Sequence, residues 1–450
     1  MSAVQALSLI LLVVVLVVAI WRRMNIGVLA LAAALPVLFL SGLDPKVMYQ
    51  TFPGDLFVLI AGVSALFAHL ERSGALARVV EKVYATVGER QALLPWTGFL
   101  LAALLSTAGA FSTAPIAFLV PMVAHVGVRY RASFYLCELA VVIGANSAGL
   151  SPLNPTGATV RAAATKLHVT YSSWGLWAVS MVVAVTVVLV LQGLNALQRQ
   201  RGRAFELIPA PAAAGDDKRP AAAGDDNPPA AAGLDNPPAA AGLDNKGSGA
   251  ASAPNRAYMW CSGLGFVAFV LLVVVAKADV GVSAMCLVAL LQIAFHPNER
   301  ALLSRLPWSS MLLLCGLLTY LGLMQKIGTI DSIAKVLHGL GAGTALVLVL
   351  AYLTAILCNI ESSTLGVLGL MTPIVYTAFA HSPLTFWVTC AVTVPAALMV
   401  MNPIHVAGTL IISNSAVEQQ EALFRRLLTL AVSLAVIVPG LLAIIPIALL

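Results

Sequence analysis

The chain has 450 residues, of which 60% are hydrophobic and only 10% are charged, with a formal net charge of +6. Soluble domains have about a quarter of their residues charged, so this composition excludes a soluble enzyme, a disulfide scaffold and a nucleic-acid-binding protein. Uninterrupted apolar runs such as residues 7–20 and 26–40 instead predict an all-α polytopic membrane protein.

Each half of the chain is predicted to contain three spanning helices, a re-entrant hairpin, a broken helix and a last span. In the first half, residues 1–196, the spans are 5–21, 25–41, 55–71 and 172–195, with the hairpin at about 92–128 and the broken helix at about 134–165. In the second half, residues 257–450, the spans are 257–276, 279–296, 309–325 and 427–449, with the hairpin at about 343–380 and the broken helix at about 384–412.

The segment between the halves, residues 197–256, differs in composition from the rest of the chain. From Ala212 it contains four copies of a nine-residue unit rich in Ala, Gly, Pro and Asp. Such a segment buries too little apolar surface to offset the entropy lost on ordering. We therefore expect a flexible linker here.

The two halves resemble each other in three blocks that occur in the same order. Residues 52–74 align with 306–328 without gaps, and residues 151–159 align with 402–410. Between them, Pro121 pairs with Pro373. The nearly constant offset indicates an internal duplication. Because each half makes an odd number of crossings, the second copy is expected to be inverted, which is typical of secondary transporters.

The basic residues predict the orientation. If the N-terminus lies outside, 19 of the 25 Lys and Arg residues fall on the cytoplasmic side, as the positive-inside rule requires. The chain is therefore expected in a bacterial inner (cytoplasmic) membrane, with a cytoplasmic linker and both termini on the outer face.

Polar residues, Pro and Gly interrupt the apolar sequence at four places: residues 106–121, 144–159, 359–373 and 399–409. Irregular chain within a membrane is tolerated only around a protected cavity. The N-termini of the interrupted helices favour an anion, and freed carbonyls with Ser, Thr and Asn oxygens favour a sodium ion. The alternative is that these small polar residues serve helix packing. The candidate substrate ligands are Ser112, Thr113, Asn154, Thr156, Ser362, Ser363, Thr364, Asn402 and His405.

A second set of residues is predicted to couple transport to an ion. Glu361 is one of two carboxylates deep in apolar sequence, so it could carry a proton or complete a cation site, or it could simply bond to the hairpin backbone. His405 could equally be a satisfied core histidine. Glu138, after Arg129 and Arg131, is interpreted as one partner of a structural ion pair. The ion-coupling candidates are Ser151, Asn154, Gly157, Asn359, Glu361, Asn402 and Gly408, with candidate sodium sites at Ser112, Ser151 and Asn154 and at Asn359, Thr364 and Asn402.

Residues 52–74, FPGDLFVLIAGVSALFAHLERSG, resemble the N-terminal signature of the malonate/dicarboxylate carriers. The repeated pattern of a hairpin followed by a Pro/Gly-rich break is similar to that of the divalent anion/sodium symporters of the ion transporter superfamily. The resemblance implies a homodimer, a scaffold domain built from the first helices of each half, and a transport domain of hairpins and broken helices that moves as an elevator.

The same resemblance implies that substrate binds between two hairpin tips and that sodium lies between a tip and the neighbouring broken helix. The first tip falls on residues 111–113, which lack the asparagine of the family motif, and the second on residues 359–364, where Glu361 interrupts the pattern. Protons acting through Glu361 are therefore a rival to sodium.

These observations predict a secondary active transporter of a small organic anion, favouring a dicarboxylate, coupled to sodium or protons and without another cofactor. The alternatives are a cation/proton antiporter or an inorganic oxyanion carrier, such as an arsenite carrier, of the same superfamily. An intramembrane enzyme or a scaffold that does not transport would need a nucleophile or metal cluster, and the sequence has no HExxH, GxSxG or Walker A motif.

Overall fold

The computed structural model describes residues 2–22, 24–87, 90, 92–130, 134–201, 256–333, 343–360, 364–379 and 382–449. Within these ranges the regular elements are helices and there is no β-strand. The all-α prediction is confirmed.

The first half contains ten helices among its described residues. They are α1 (Ala3–Arg22), α2 (Ile26–Ser41), α3 (Lys46–Thr51), α4 (Gly54–Arg72), α5 (Ala75–Val87), α6 (Leu94–Thr107), α7 (Thr113–Tyr130), α8 (Phe134–Ala148), α9 (Pro155–Lys166) and α10 (Ser173–Gln200).

The second half also contains ten helices among its described residues. They are α11 (Arg256–Val274), α12 (Val280–Phe295), α13 (Glu299–Leu303), α14 (Trp308–Lys326), α15 (described over 329–333), α16 (Thr344–Ile360), α17 (Thr364–Phe379), α18 (Thr385–Leu398), α19 (Val406–Ser413) and α20 (Gln420–Ala448).

Helix ends follow the local chemistry of the sequence. Asn25 caps α2 through its Oδ1, which accepts a bond from the N–H of Gly27 at 3.0 Å, and Asp279 caps α12 in the same way. Gly42 ends α2 in the left-handed conformation, at φ 68°, which glycine adopts without steric cost. These caps explain why the first spans start and stop where they do.

Six helical stretches are long and apolar enough to cross a membrane, judged by length and composition. They are α4, α10, α11, α14, the combined stretch of α18 and α19, and α20 with the turn before it. With the apolar composition, they identify the chain as an integral membrane protein.

The predicted boundaries differ from the observed ones at two places. Helix α10 continues to Gln200 and so includes the first four residues of the predicted linker, and α11 begins at Arg256. The linker residues 202–255 lie outside the described ranges. Helix α20 begins at Gln420, earlier than the predicted 427, because polar residues at a membrane surface extend a helix without contributing to its apolar run.

Two pairs of helices cross at very short distance, and each pair joins one half to the other. Helix α2 packs on α14, and α4 packs on α12. A Cβ atom on Gly27 would lie 2.0 Å from the carbonyl oxygen of Leu312, and one on Gly316 would lie 2.2 Å from that of Gly27. In the other pair, a Cβ on Gly62 would lie 2.9 Å from the carbonyl oxygen of Gly281. Small residues permit this contact between backbones.

The buried apolar side chains form two separate clusters. The crossing core, which includes Ile60, Phe269 and Tyr320, is built mainly from α1, α2, α4, α11, α12 and α14. The hairpin core, which includes Phe99 and Tyr376, is built mainly from α5 to α10 and α16 to α20. Each core together with its helices is called a body below. Helices α9 and α17 contribute side chains to both clusters, so they lie at the boundary between the two bodies.

Candidate functional site

The first helix break separates α8 from α9 and is tied to the turn after α6 by Asn154. This residue is fully buried, and its Nδ2 donates to the carbonyl oxygens of Ser106 at 2.9 Å and Ala110 at 2.6 Å. Its Oδ1 accepts a bond from the N–H of Thr156 at 3.0 Å, which caps α9. One side chain therefore starts the second half-helix and holds the hairpin turn.

Ser151 adds a second connection between the same two segments. Its Oγ donates to the carbonyl oxygen of Thr107 at 2.8 Å and accepts a bond from the N–H of Leu153 at 3.2 Å. Helices α6 and α8 end with free carbonyl groups, and these side chains satisfy several of the polar groups near the break.

The second break lies at residues 402–405, after the 3-10 turn Met399–Met401. The Nδ2 of Asn402 donates to both the carbonyl oxygen and the Oδ1 of Asn359, at 3.2 and 2.9 Å, and its Oδ1 accepts from the N–H of Ile404 at 3.0 Å. The Nε2 of His405 lies 2.5 Å from the carbonyl oxygen of Cys358. Because a carbonyl oxygen can only accept, this nitrogen carries the proton.

The two breaks are fastened to their hairpins in the same way. In each half, two side chains of the break bond to two successive residues at the end of the first helix of the hairpin, which is α6 in the first half and α16 in the second. The earlier residue of each break bonds to the later of the two helix residues, and the later residue of the break bonds to the earlier one. We call each such set of contacts a clasp. The bond from Ser151 to Thr107 is matched by that from Asn402 to Asn359, and the bond from Asn154 to Ser106 is matched by that from His405 to Cys358.

A glycine closes each clasp where the chain folds back over the break. A Cβ on Gly157 would lie 2.1 Å from the carbonyl oxygen of Ser151, and one on Gly408 would lie 2.3 Å from that of Asn402. The N–H of Gly157 also donates to the carbonyl oxygen of Gly149 at 3.0 Å. Only a residue without a side chain allows α9 and α19 to begin this close to the preceding turn.

Hydroxyl groups without protein partners lie at the hairpin turns. Ser112 is buried, its Oγ has no hydrogen-bond partner among the described residues, and a Cβ on Gly149 would lie only 2.6 Å from it. Thr364 Oγ1 and Ser106 Oγ are also buried without a partner in the described chain. Ser112 and Thr364 stand at the starts of α7 and α17, where helix N-termini provide free N–H groups and positive potential.

The helices that follow the breaks pack against the hairpin of the opposite half. Helix α9 packs on α17, and α19 packs on α7. A Cβ on Gly369 of α17 would lie 3.9 Å from the Cγ2 of Thr159 on α9. The helix that follows each break therefore packs on the hairpin of the other half.

The structure places most of the predicted site residues at the clasps. Three of them, Glu361, Ser362 and Ser363, lie outside the described residues. The side-chain donors of Asn154, Asn402 and His405 point at carbonyl oxygens of the protein, so these residues fasten the turns. Thr113 begins α7 and Thr156 is capped by Asn154. Among the predicted site residues that the structure describes, Thr364 carries a buried hydroxyl without a hydrogen-bond partner, and the hydroxyl of Ser112 stands at the start of α7.

Two features are not predicted from the sequence: the carbonyl partners of the clasps, and the contact of Lys166 on α9 with the carbonyl oxygens of Thr51 and Leu318. Both depend on which helices pack together. Glu138 is fully buried, and neither of its carboxylate oxygens has a hydrogen-bond partner in the described part of the chain. The side chains of Arg129 and Arg131, its predicted ion-pair partners, fall outside that part.

The family model described as a citrate transporter matches residues 16–393, a range that includes both hairpins and the first break and ends within α18. No curated protein matches the chain.

Proposed function

The chain belongs to the citrate transporter family, and from this membership we propose that it is a secondary active transporter of a small organic anion, a dicarboxylate or a tricarboxylate. Family members are transporters and not enzymes. The narrower relation to malonate/dicarboxylate carriers is part of the proposal.

The observation that carries the proposal is the pair of matched clasps in the middle of apolar helices. The hydroxyls of Ser112 and Thr364 stand beside the clasps at the starts of the hairpin helices α7 and α17, and that of Thr364 is buried without a partner in the described chain. Helix N-termini with free donors suit carboxylates, and two such termini suit a substrate with carboxylates at both ends. We therefore place substrate binding at the hairpin turns, with Thr113 and Thr156 as further ligands and with Ser362 and Ser363, which precede Thr364 in the sequence, as candidates outside the described residues.

We further propose that the halves are inverted copies of one unit. Reciprocal packing supports this: α2 on α14 and α4 on α12, and α9 on α17 and α19 on α7. The glycines at the crossings also correspond, since Gly27 and Gly62 in the first half occupy the places of Gly281 and Gly316 in the second. Helix pairs exchange partners in this manner when two copies are related by a two-fold axis.

The separation into a crossing core and a hairpin core supports an elevator mechanism, in which the hairpin core moves against the crossing core of a homodimer. A Cβ on Gly366 of α17 would lie 3.3 Å from the side chain of Leu313 on α14. A disulfide between Gly366→Cys and Leu313→Cys should therefore stop uptake, and a reductant should restore it. Uptake at the wild-type rate by the oxidised double variant, with cross-linking complete, would contradict this movement.

The coupling ion in the proposal is sodium or a proton. Because the clasp donors are occupied, a sodium ion would rely on the hydroxyl oxygens of Ser112, Ser151 and Thr364 and on backbone carbonyls, with Asn154, Asn359 and Asn402 holding the turns in place. A proton would rely on Glu361. We place the chain in a bacterial cytoplasmic membrane, with the linker in the cytoplasm and both termini outside, as the distribution of basic residues supports.

The main test is uptake of labelled malonate, succinate and citrate into proteoliposomes, driven separately by a sodium gradient and by a pH gradient. Ser112→Ala/Thr364→Ala should reduce kcat/KM by at least about tenfold, because hydrogen bonds to a charged group contribute about 1.5–3 kcal/mol each. The matched control is Thr429→Ala/Ser433→Ala, whose hydroxyls are exposed on α20 and bond within their own helix.

Undiminished uptake by the Ser112/Thr364 variant would remove the hairpin turns as the substrate site. If arsenite or another oxyanion is taken up and malonate, succinate and citrate are not, the protein is an oxyanion carrier and not an organic anion transporter. A pH change in vesicles driven by sodium without any added anion would favour a cation/proton antiporter.

A further inference from the structure

Lys166, at the end of α9, forms a polar contact between the two bodies of the molecule. Its Nζ donates to the carbonyl oxygen of Thr51 at 3.1 Å and to that of Leu318 at 3.5 Å, which belong to α3 and α14. In return, the Nε2 of Gln325 on α14 donates to the carbonyl oxygen of Lys166 at 3.0 Å. The lysine therefore does not cap its own helix but reaches across to its neighbours.

Lys166 makes no ion pair in the described part of the chain, where the ion pairs join Arg305 to Glu71 and Arg425 to Glu421. The carboxylate of Asp55 acts on the ammonium group of Lys166 only from beyond ion-pair distance. Its two partners are neutral carbonyl oxygens. A cation at such a position is costly without a counter-charge, and ionisable groups within a membrane domain are functional candidates by default.

Both polar groups retain a free donor. An ammonium has three N–H groups, of which two are used by Lys166, and a carboxamide nitrogen has two, of which one is used by Gln325. The two side chains line the same cleft between α9, α14 and α17, whose other walls are apolar and include Leu321 and Pro373. Lys166 is only half-buried, and the enclosed space of the cleft is about 10 Å³, room for about one water molecule. An anion therefore reaches the donors from the open side with its carboxylate oxygens, and the apolar walls strengthen the attraction.

We propose that Lys166 and Gln325 form a carboxylate-binding site between the two bodies, separate from the hairpin turns. The third N–H of Lys166 and the second N–H of Gln325 bind the oxygens of one carboxylate group. That the occupant is the transported anion rests on the proposed function. The binding site itself rests on an ammonium group without an ion-pair partner in the described chain, the two free donors and the cleft.

The test is thermal unfolding of the purified full-length protein titrated with succinate, citrate and sulfate at constant ionic strength. A ligand that binds the folded state raises the unfolding temperature in proportion to its occupancy. We expect Lys166→Gln to weaken the apparent affinity for carboxylates at least about tenfold, which corresponds to loss of one charge-assisted hydrogen bond. Lys166→Arg should restore most of it, and Gln325→Leu should weaken it by a smaller factor.

Lys326→Gln is the matched control, since Lys326 is an exposed cation beside Gln325 on the same helix, and it should bind as the wild type does. If Lys166→Gln binds carboxylates with wild-type affinity, the site is overturned. The proposed transport function is unaffected by that result, because the Ser112/Thr364 variant tests it separately. If Lys166→Gln fails to fold, wild-type affinity in Gln325→Leu overturns the site instead. If carboxylates bind to the protein in a way that depends on Lys166 but are not taken up, the binding site is supported and the proposed transport function is overturned. No stabilisation of the wild type by any of the three anions overturns the site.

Discussion

Gly157→Ala should abolish uptake and lower the unfolding temperature of the protein by several degrees. The added methyl group would lie 2.1 Å from the carbonyl oxygen of Ser151 and 2.6 Å from that of Leu150. Both are backbone atoms, so relief requires the start of α9 to move away from the break. Overpacking of this kind costs about 1–3 kcal/mol and occasionally more, and the shift also disturbs the clasp. Thermal unfolding and proteoliposome uptake measure the two effects.

Gly408→Ala should reproduce this result in the second half, because its Cβ would lie 2.3 Å from the carbonyl oxygen of Asn402. Gly193→Ala on α10 and Gly263→Ala on α11 are matched controls. Both glycines are helical, and a Cβ there would meet nothing within 4 Å. Alanine should be neutral or slightly stabilising at these two positions. Full stability and uptake in Gly157→Ala would show that α9 does not begin against the preceding turn.

Asn154→Ala is expected to have the second large effect, since it leaves two carbonyl oxygens and one N–H group without their partner in a fully buried place. Each unsatisfied buried group costs about 1–3 kcal/mol. Hydrogen exchange of the amides in the turn after α6, around Ala110, should accelerate, because the turn loses the side chain that holds it. Uptake should fall with the loss of the ordered turn.

Asn154→Asp separates the two roles of this side chain. Aspartate caps a helix as well as asparagine does, so α9 should keep its start, but an ionised carboxylate has no N–H to offer Ser106 and Ala110 and repels their carbonyl oxygens. We expect faster exchange in the turn while the first amides of α9 stay protected. Asn414→Ala is the control, because the Nδ2 of Asn414 bonds to Leu410 within its own helix region. Unchanged exchange around Ala110 in both Asn154 variants would refute the clasp.

The helical class and the starts of most spans followed from hydropathy and caps, which are properties of neighbouring residues. Residues 55–71 were predicted to span and α4 covers Gly54–Arg72. The start of α20 was placed too late because a helix continues through polar residues that hydropathy does not register. The sequence also identifies the polar residues at the breaks, but it does not predict that their side chains bond to the ends of the hairpin helices.

His405 illustrates what could not be worked out from the sequence. The sequence leaves it as either a substrate ligand or a satisfied core histidine. In the structure its Nε2 faces the carbonyl oxygen of Cys358, and it occupies the place that Asn154 has in the first half. The two residues share no local sequence feature that would reveal this. Their equivalence depends on the donor position in space, which an imidazole and a carboxamide can both provide.

By itself, the sequence determined that this chain is helical, lies in a membrane and interrupts its helices with Pro and Gly, because these follow from side-chain hydropathy and local backbone chemistry. Only the tertiary structure decided which carbonyl each polar side chain reaches, and that Lys166 donates across a cleft to the carbonyl oxygens of Thr51 and Leu318. Such partners lie far apart along the chain, and only the packing of helices against one another brings them within bonding distance.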